Sequence, residues 1–335
     1  MSREHGGADA QGLARYDFSS NANACGPCPE AWQAVRQADA AHYPDPAYTQ
    51  LRQILARWHQ VEVWRIVLAG SASEFIRRMT WACHLHGARQ YWVPRHAYGD
   101  YAQAAQACGM RRVADSRAAD LLWLCDPSSP LGVSQEPVPW PADLLRLDAA
   151  VVLDLAYAPL RLDGQPFMFE PALSAAWRLY SPNKALGLTG VRGAYAIAPQ
   201  HAQAQAAVLE ALSASWPLGA HAHAMLLAWA QPAVQQWVRD SLQTLRIWKH
   251  SLTEALQAMG WNCLPSLTHY FCALPPCRLS ARGLRRHGIK LRDAQSFGLP
   301  GHWRLSAQPP HSQAALLHAL RHHHDVYDVE QGGEA

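Results

Sequence analysis

Between Ile66 and Ala198 the chain repeats one pattern, a short continuous apolar run followed by a longer stretch with apolar residues at helical spacing. The runs are Ile66–Ala69, Gln90–Pro94, Leu121–Cys125, Ala150–Leu155, Arg178–Ser181 and Gly193–Ala198. Most lack period-two alternation, as strands do when helices cover both faces of their sheet. Helical patterns fill the gaps at Ala72–Gly87 and Tyr98–Gly109, and two more precede them at Pro29–Ala40 and Tyr48–His59. Strands alternating with helices predict an α/β layered fold with a mainly parallel sheet. After His201 the character changes. Helical patterns run through His201–Ser213, Ala220–Ala230 and Ala233–Met259, then short strands at Tyr270–Leu274, Ile289–Arg292 and Trp303–Ser306 lead to a helix over His311–His322. This end reads as a smaller α+β domain.

Length and charge narrow the function. At 335 residues the chain is long enough for two domains and a large core. A formal net charge of +3, with no long basic run, argues against a nucleic-acid binder. No stretch approaches the roughly 18 apolar residues that span a bilayer, and the start, MSREHGG, lacks the apolar core of a signal peptide. The expectation is a cytoplasmic enzyme. Cys25-Gly26-Pro27-Cys28 has redox spacing but follows a polar loop instead of a buried strand, so it reads as a loop. His221/His223 and His322 to His324 lack carboxylates or cysteines at ligand spacing and read as solvated helix faces. No metal is expected.

Only three of the 29 basic residues are lysines: Lys184, Lys249 and Lys290. Lys184 sits in Ser181-Pro182-Asn183-Lys184-Ala185-Leu186-Gly187-Leu188-Thr189-Gly190-Val191-Arg192-Gly193, between a short strand and a glycine-punctuated turn. A lysine held in a dry, shaped site can form a Schiff base. Ser181 and Arg192 beside it suit a phosphate, by hydroxyl and by guanidinium fork. Lys249 lies on an amphipathic helix and Lys290 in a short strand.

This segment resembles the lysine motif of fold-type I pyridoxal-phosphate enzymes of the class I/II aminotransferase family, S-x-x-K followed by G-L-x-G-x-R. Other segments resemble the family's motifs in the same order. They are Asn21–Pro27, Tyr43-Pro44-Asp45-Pro46 with Leu51-Arg52, Gly70-Ser71-Ala72-Ser73-Glu74, Asp126–Gly132, Val152–Tyr157, and Phe297-Gly298 with Trp303–Ser306. The resemblance implies a large domain with a mainly parallel seven-stranded sheet sandwiched by helices. It also implies a division into residues 1–40 packing with the small domain, 41–230 binding the cofactor, and 231–335 forming the small domain.

The resemblance also implies roles. Lys184 would hold pyridoxal 5'-phosphate as a Schiff base and then shuttle a proton. Asp154 would pair with the pyridinium nitrogen, keeping the ring an electron sink. Tyr157 would donate to the ring hydroxyl and Tyr98 would lie on the ring. The backbone of Ala72 and Ser73 at a helix start, with Ser181 and Arg192, would hold the phosphate. Tyr43 would reach the phosphate of a neighbouring subunit, implying a homodimer with shared sites. Arg304 would clamp the substrate carboxylate, and Asn23 is a further substrate-binding candidate. The family's asparagine beside the ring hydroxyl is replaced by Ser129, the residue before it is Ser128, and the acidic residue after Asp154 is Leu155.

Two branches of the family fit the motifs. His5-Gly6-Gly7 and Ser215-Trp216-Pro217-Leu218 resemble elements of the cobalamin-pathway branch typified by L-threonine O-3-phosphate decarboxylase, and the reading leans there. The alternative is a histidinol-phosphate aminotransferase that passes its amino group to 2-oxoglutarate. A second alternative, prompted by Ser128, Ser129 and Leu155, is a cofactor-binding member without catalysis. Either reaction would take a small phosphorylated amino acid or amine. They differ in which bond at the substrate's α-carbon stands perpendicular to the cofactor ring, which the sequence does not show.

Overall fold

The computed structural model describes residues 5–134, 149–168, 170 and 172–327. Met1–Glu4 of the start segment lie outside the described residues. In chain order the first half holds β1 (Tyr16–Asp17), α1 (Pro29–Arg36), α2 (Thr49–His59), β2 (Ile66–Ala69), α3 (Ala72–Leu85), β3 (Gln90–Trp92), α4 (Gly99–Ala107), β4 (Arg111–Arg112), β5 (Leu121–Cys125) and β6 (Ala150–Asp154). Next come α5 (Ala172–Ala175), β7 (Trp177–Tyr180), β8 (Ala194–Ile197), α6 (Gln203–Ala211), α7 (Ala220–Trp229) and the long α8 (Pro232–Gln257). The chain continues through β9 (Asn262–Cys263), β10 (Tyr270–Leu274), α9 (Ala281–Arg286), β11 (Ile289–Lys290), β12 (Arg292–Asp293), β13 (Trp303–Ser306) and α10 (Pro310–His322).

Seven strands form the main sheet in the order β2-β8-β7-β6-β5-β3-β4. β8 runs antiparallel to both neighbours and every other pair is parallel. Six of the seven coincide with the apolar runs. The seventh, β4, is two exposed arginines pairing with Gln90 and Tyr91. A charged two-residue edge strand has no apolar run to announce it, and edge charges discourage pairing with other chains. Helices cover both faces. Phe75, Ile76 and Met79 of α3 pack with Val67, Leu121 and Trp123 on one side. Tyr48, Leu51 and Leu55, at and within the start of α2, pack with Ile66, Leu68 and Tyr195 on the other.

The second sheet has four strands in the order β12-β13-β10-β9. The expected strand Ile289–Arg292 divides: β11 pairs parallel with β1, while β12 pairs antiparallel with β13. Buried Leu291 is the pivot between them. The N-terminal segment also divides between two cores. Phe18 enters the core of the second sheet with Phe271 and Leu305, whereas Ala31 and Val35 of α1 pack in the core shared by α2 and α7. The reason is that the segment crosses the boundary between layers. α8 crosses it as well, giving Val234, Val238 and Leu245 to one core and Leu252 and Leu256 to the other.

The turn after Lys184 rests on the N-terminal loop. Asn23 N–H donates to Lys184 O at 2.9 Å, and Cys28 N–H to Leu186 O at 2.9 Å. Gly187 has φ +67°, and a Cβ there would collide with the Gly26 carbonyl. Gly187→Ala is therefore expected to destabilise the chain by about 3 kcal/mol, through left-handed strain plus a backbone clash. Urea unfolding with an unchanged midpoint would contradict this.

Candidate active site

A cavity of about 620 Å³ opens at the carboxyl ends of β5, β6 and β7, the customary ligand position of parallel sheets. It brings together Asp154, Tyr157, Ser181, Lys184 and Arg192 with Ala72, Ser73, Tyr98, Ser129 and Arg304, residues up to 232 positions apart in the chain (304 − 72). Lys184 is the one lysine of the three that lines it. Lys249 donates to Ser266 O, and burial pushes its ammonium down to about 8. Lys290 donates to Gly7 O at 2.7 Å and to Asp9 Oδ2 at 2.8 Å.

β6 carries Asp154 to the cavity floor as its last residue, paired with Cys125 of β5 and Leu179 of β7. Its carboxylate accepts from Tyr101 Oη at 2.7 Å and from Ala156 N–H at 2.9 Å. Burial raises its pKa, while these donors and the charge of Lys184 pull it down. A buried carboxylate so placed calls for a cationic hydrogen-bond donor. Tyr101 is held by a stack on Trp123, 5.0 Å between centroids. Lys184 Nζ stands 5.2 Å from the Tyr157 ring centroid.

α3 starts at the cavity wall because Ser71 caps it, its hydroxyl accepting from Glu74 N–H at 3.1 Å. Glu74 reaches back to accept from Gly70 N–H at 3.1 Å. The first turn, with Ala72 and Ser73, thus presents amide donors and a positive helix end to the cavity. Ser181 Oγ is buried with no hydrogen-bond partner among the described residues. Arg192 and Arg77 line the same cavity. Tyr98 Oη donates to Asp100 Oδ2 at 2.9 Å and lies 3.3 Å from Ser73 Oγ.

The second sheet supplies the facing wall. Arg304 Nη1 donates to Ser129 Oγ at 3.3 Å and Nη2 to Ser19 O at 3.1 Å, leaving buried Nε without a partner among the described residues. Arg292 is its direct cross-strand neighbour, is also buried, and also lines the cavity. Their guanidinium carbons lie 5.0 and 5.6 Å from the Phe297 ring centroid. Like charges directly opposite on antiparallel strands repel, and Arg292 is engaged within its own segment, donating to Asp293 O and to Ser296 Oγ at 2.8 Å.

Asn23 lies outside the cavity lining. Its amide donates to Ala185 O at 3.0 Å and Ser241 Oγ at 2.8 Å, and its oxygen accepts from Cys25 N–H. With all of these groups engaged it braces the lysine turn and does not line the cavity. Asn21, two residues earlier, lines it instead, donating to Tyr157 Oη at 3.2 Å and leaving buried Oδ1 without a partner among the described residues. His269 fixes its backbone: the carbonyl of Asn21 can only accept, so Nε2, 3.1 Å away, carries the proton. Burial pushes this imidazole down to about 3, so it stays neutral. Tyr43 is 78% exposed, stacked on Trp216 at 4.4 Å, and does not line this chain's cavity. Burial raises the Cys25 thiol to about 11 and also raises Cys28, which keeps both protonated and suits a loop, not a redox pair. Tyr101, Asn21, Arg292 and His269 escaped the sequence reading. For Tyr101 a signal existed, since it follows Tyr98 by three residues and shares its helix face.

Comparison with known proteins gives the family and the fold. The family model "Aminotransferase class I and II" matches residues 14–322. A histidinol-phosphate aminotransferase from Jannaschia sp. (strain CCS1) is 27% identical over 333 residues, covering 90% of this chain and 89% of that protein. The fold is shared with the histidinol-phosphate aminotransferase of Sinorhizobium meliloti in complex with pyridoxal-5'-phosphate, at TM-score 0.73 and 22% identity over 92% of this chain and 90% of that one. It is also shared with the L-threonine-O-3-phosphate decarboxylase of Porphyromonas gingivalis, at TM-score 0.72 and 22% identity over 90% of this chain and 97% of that one. The alternating strands, the lysine turn and the family match converge: the chain belongs to the class I and II aminotransferases, a family of pyridoxal-phosphate-dependent enzymes of the aspartate aminotransferase fold.

Proposed function

We propose that the cavity holds pyridoxal 5'-phosphate and acts on a small phosphorylated amino acid, with decarboxylation of the L-threonine O-3-phosphate type as the reaction. One observation carries the substrate class: the cavity has two separate anion-receiving groups. The first turn of α3, Ser181 and Arg192 suit the cofactor's phosphate. Arg304, whose buried Nε has no partner among the described residues, suits an anionic group of the substrate. When bound, the cofactor supplies an electron sink for the substrate's α-carbon.

The chain's own residues do the rest. Lys184 Nζ anchors the cofactor covalently and afterwards carries a proton to or from the substrate. Asp154 keeps the proton on the ring nitrogen, and Tyr101 holds Asp154 in place. Tyr157, with Asn21 beside it, serves the ring hydroxyl. Ser129 is too short to replace the family's asparagine there and is engaged with Arg304. Tyr43, exposed on this chain, serves the site of a second copy in a homodimer.

The decarboxylase reading is favoured by the start of the chain. His5, Gly6 and Gly7 line the cavity, tied down by Lys290 on Gly7 O and by Gly7 N–H on Ser19 Oγ at 2.9 Å. A Cβ on Gly6 would collide with Ser19 O, so only glycine permits this approach. The aminotransferase reading is supported by the Jannaschia relative, which matches over 90% of this chain. The cofactor-loaded protein should release carbon dioxide from threonine phosphate with no keto acid present. Glutamate formation from histidinol phosphate and 2-oxoglutarate, without carbon dioxide release, would replace the first reading with the second. Neither product from the loaded protein would overturn both.

A further inference from the structure

We propose that His287, His323 and Asp325 form a divalent-metal site, of the zinc class, that pins the chain after α10 onto the end of α9. These residues lie outside the active-site cavity, so the site is independent of the reaction proposed above. One ligand atom from each lies within 4.8 Å of the others. His287 Nε2 is already 3.0 Å from Asp325 Oδ1, and the His287 and His323 rings stack with centroids 4.0 Å apart. A tetrahedral zinc with bonds of about 2.0–2.1 Å holds its donors roughly 3.4 Å apart. Closing the remaining gap requires the His287 and His323 rings to leave their stack, at residues that are half-buried or exposed.

The backbone beneath is fixed without a metal. Gly283 of α9 lets the carbonyl of Asp325 approach where any Cβ would collide. Ser280 N–H donates to Val326 O at 2.8 Å, Leu279 bridges to Tyr327, and Val326 is fully buried. The three ligands are therefore presented by anchored chain, which lowers the ordering cost of binding. Two imidazoles and one carboxylate form a borderline donor set suited to zinc, with a fourth position open to water. Arg286 holds the other carboxylate oxygen of Asp325 at 2.9 Å and orients it without occupying Oδ1. The nearest rival is the pair His318 and His322, one turn apart on α10 with ring centroids 4.7 Å apart.

The test uses the purified full chain, stripped with chelator and titrated calorimetrically with zinc chloride, alongside thermal melting. The expected result is one zinc per chain and a raised melting temperature. His287→Gln, which keeps an amide donor for Asp325, and Asp325→Asn should each weaken binding at least ~10-fold and abolish the thermal shift. The variant His322→Ala removes the rival pair while keeping His318, whose ring also packs on His323 at 5.5 Å, and should leave binding and the thermal shift unchanged. Wild-type affinity in His287→Gln and Asp325→Asn would overturn the proposal, as would loss of binding in His322→Ala or no binding by the wild type.

Discussion

Lys184→Ala is expected to lower turnover by at least about 10⁴-fold, whichever substrate the enzyme takes, because it removes a covalent anchor and a proton carrier at one stroke. No neighbour can substitute. Lys249 and Lys290 are engaged at Ser266, Gly7 and Asp9 and do not line the cavity. The chain should still fold, since the turn is held through backbone groups of Lys184 and Leu186, which alanine retains. Borohydride reduction of the loaded wild type followed by peptide mapping should place the cofactor on Lys184. Label on another lysine, or variant turnover within tenfold of wild type, would refute the assignment and restore the non-catalytic reading for Lys184.

Asp154→Asn should separate activity from stability. The substitution is close to isosteric, and its oxygen can still accept from Tyr101 or from Ala156 N–H but not from both, since Asp154 uses one oxygen for each. The change removes the charge that keeps the ring nitrogen protonated, so turnover should fall by roughly 10²–10³-fold. The effect on stability should depend on pH. Burial raises the Asp154 pKa in the folded chain. A group with a raised folded pKa favours folding at low pH, and that contribution is lost as pH rises through the folded value. Above that folded value the cofactor-free wild type bears a buried charge that the variant lacks. The variant's melting temperature relative to the wild type's should therefore rise with pH, the comparison being least favourable to the variant in acid. A variant that melts lower while keeping its activity would assign Asp154 a purely structural role.

Much of this site was legible because its chemistry is local. Lys184, Ser181 and Arg192 share one turn, and Asp154 and Tyr157 share one strand end, so a single segment displays each group. Asn21 and Asn23 stand in one loop, and the sequence does not say which faces inward. The answer came from Ala185 and Ser241, which claim the Asn23 amide. Arg292 was invisible for a similar reason. Only the pairing of β12 with β13 sets it opposite Arg304, and the run containing it looked like one strand. His323 seemed a solvated histidine until α9 brought His287 to it and the chain turn brought Asp325.

The sequence alone determined the layered α/β class, the choice of lysine and the family, because hydrophobic periodicity and motif spacing are properties of neighbouring residues. Tertiary structure alone decided the opposed arginines, the entry of His5 to Gly7 into the cavity, the inward asparagine and the histidine–aspartate cluster. Each depends on strand register or on close approach between segments far apart in the chain. Register and approach are settled by the packing of whole layers, which no local stretch of residues encodes.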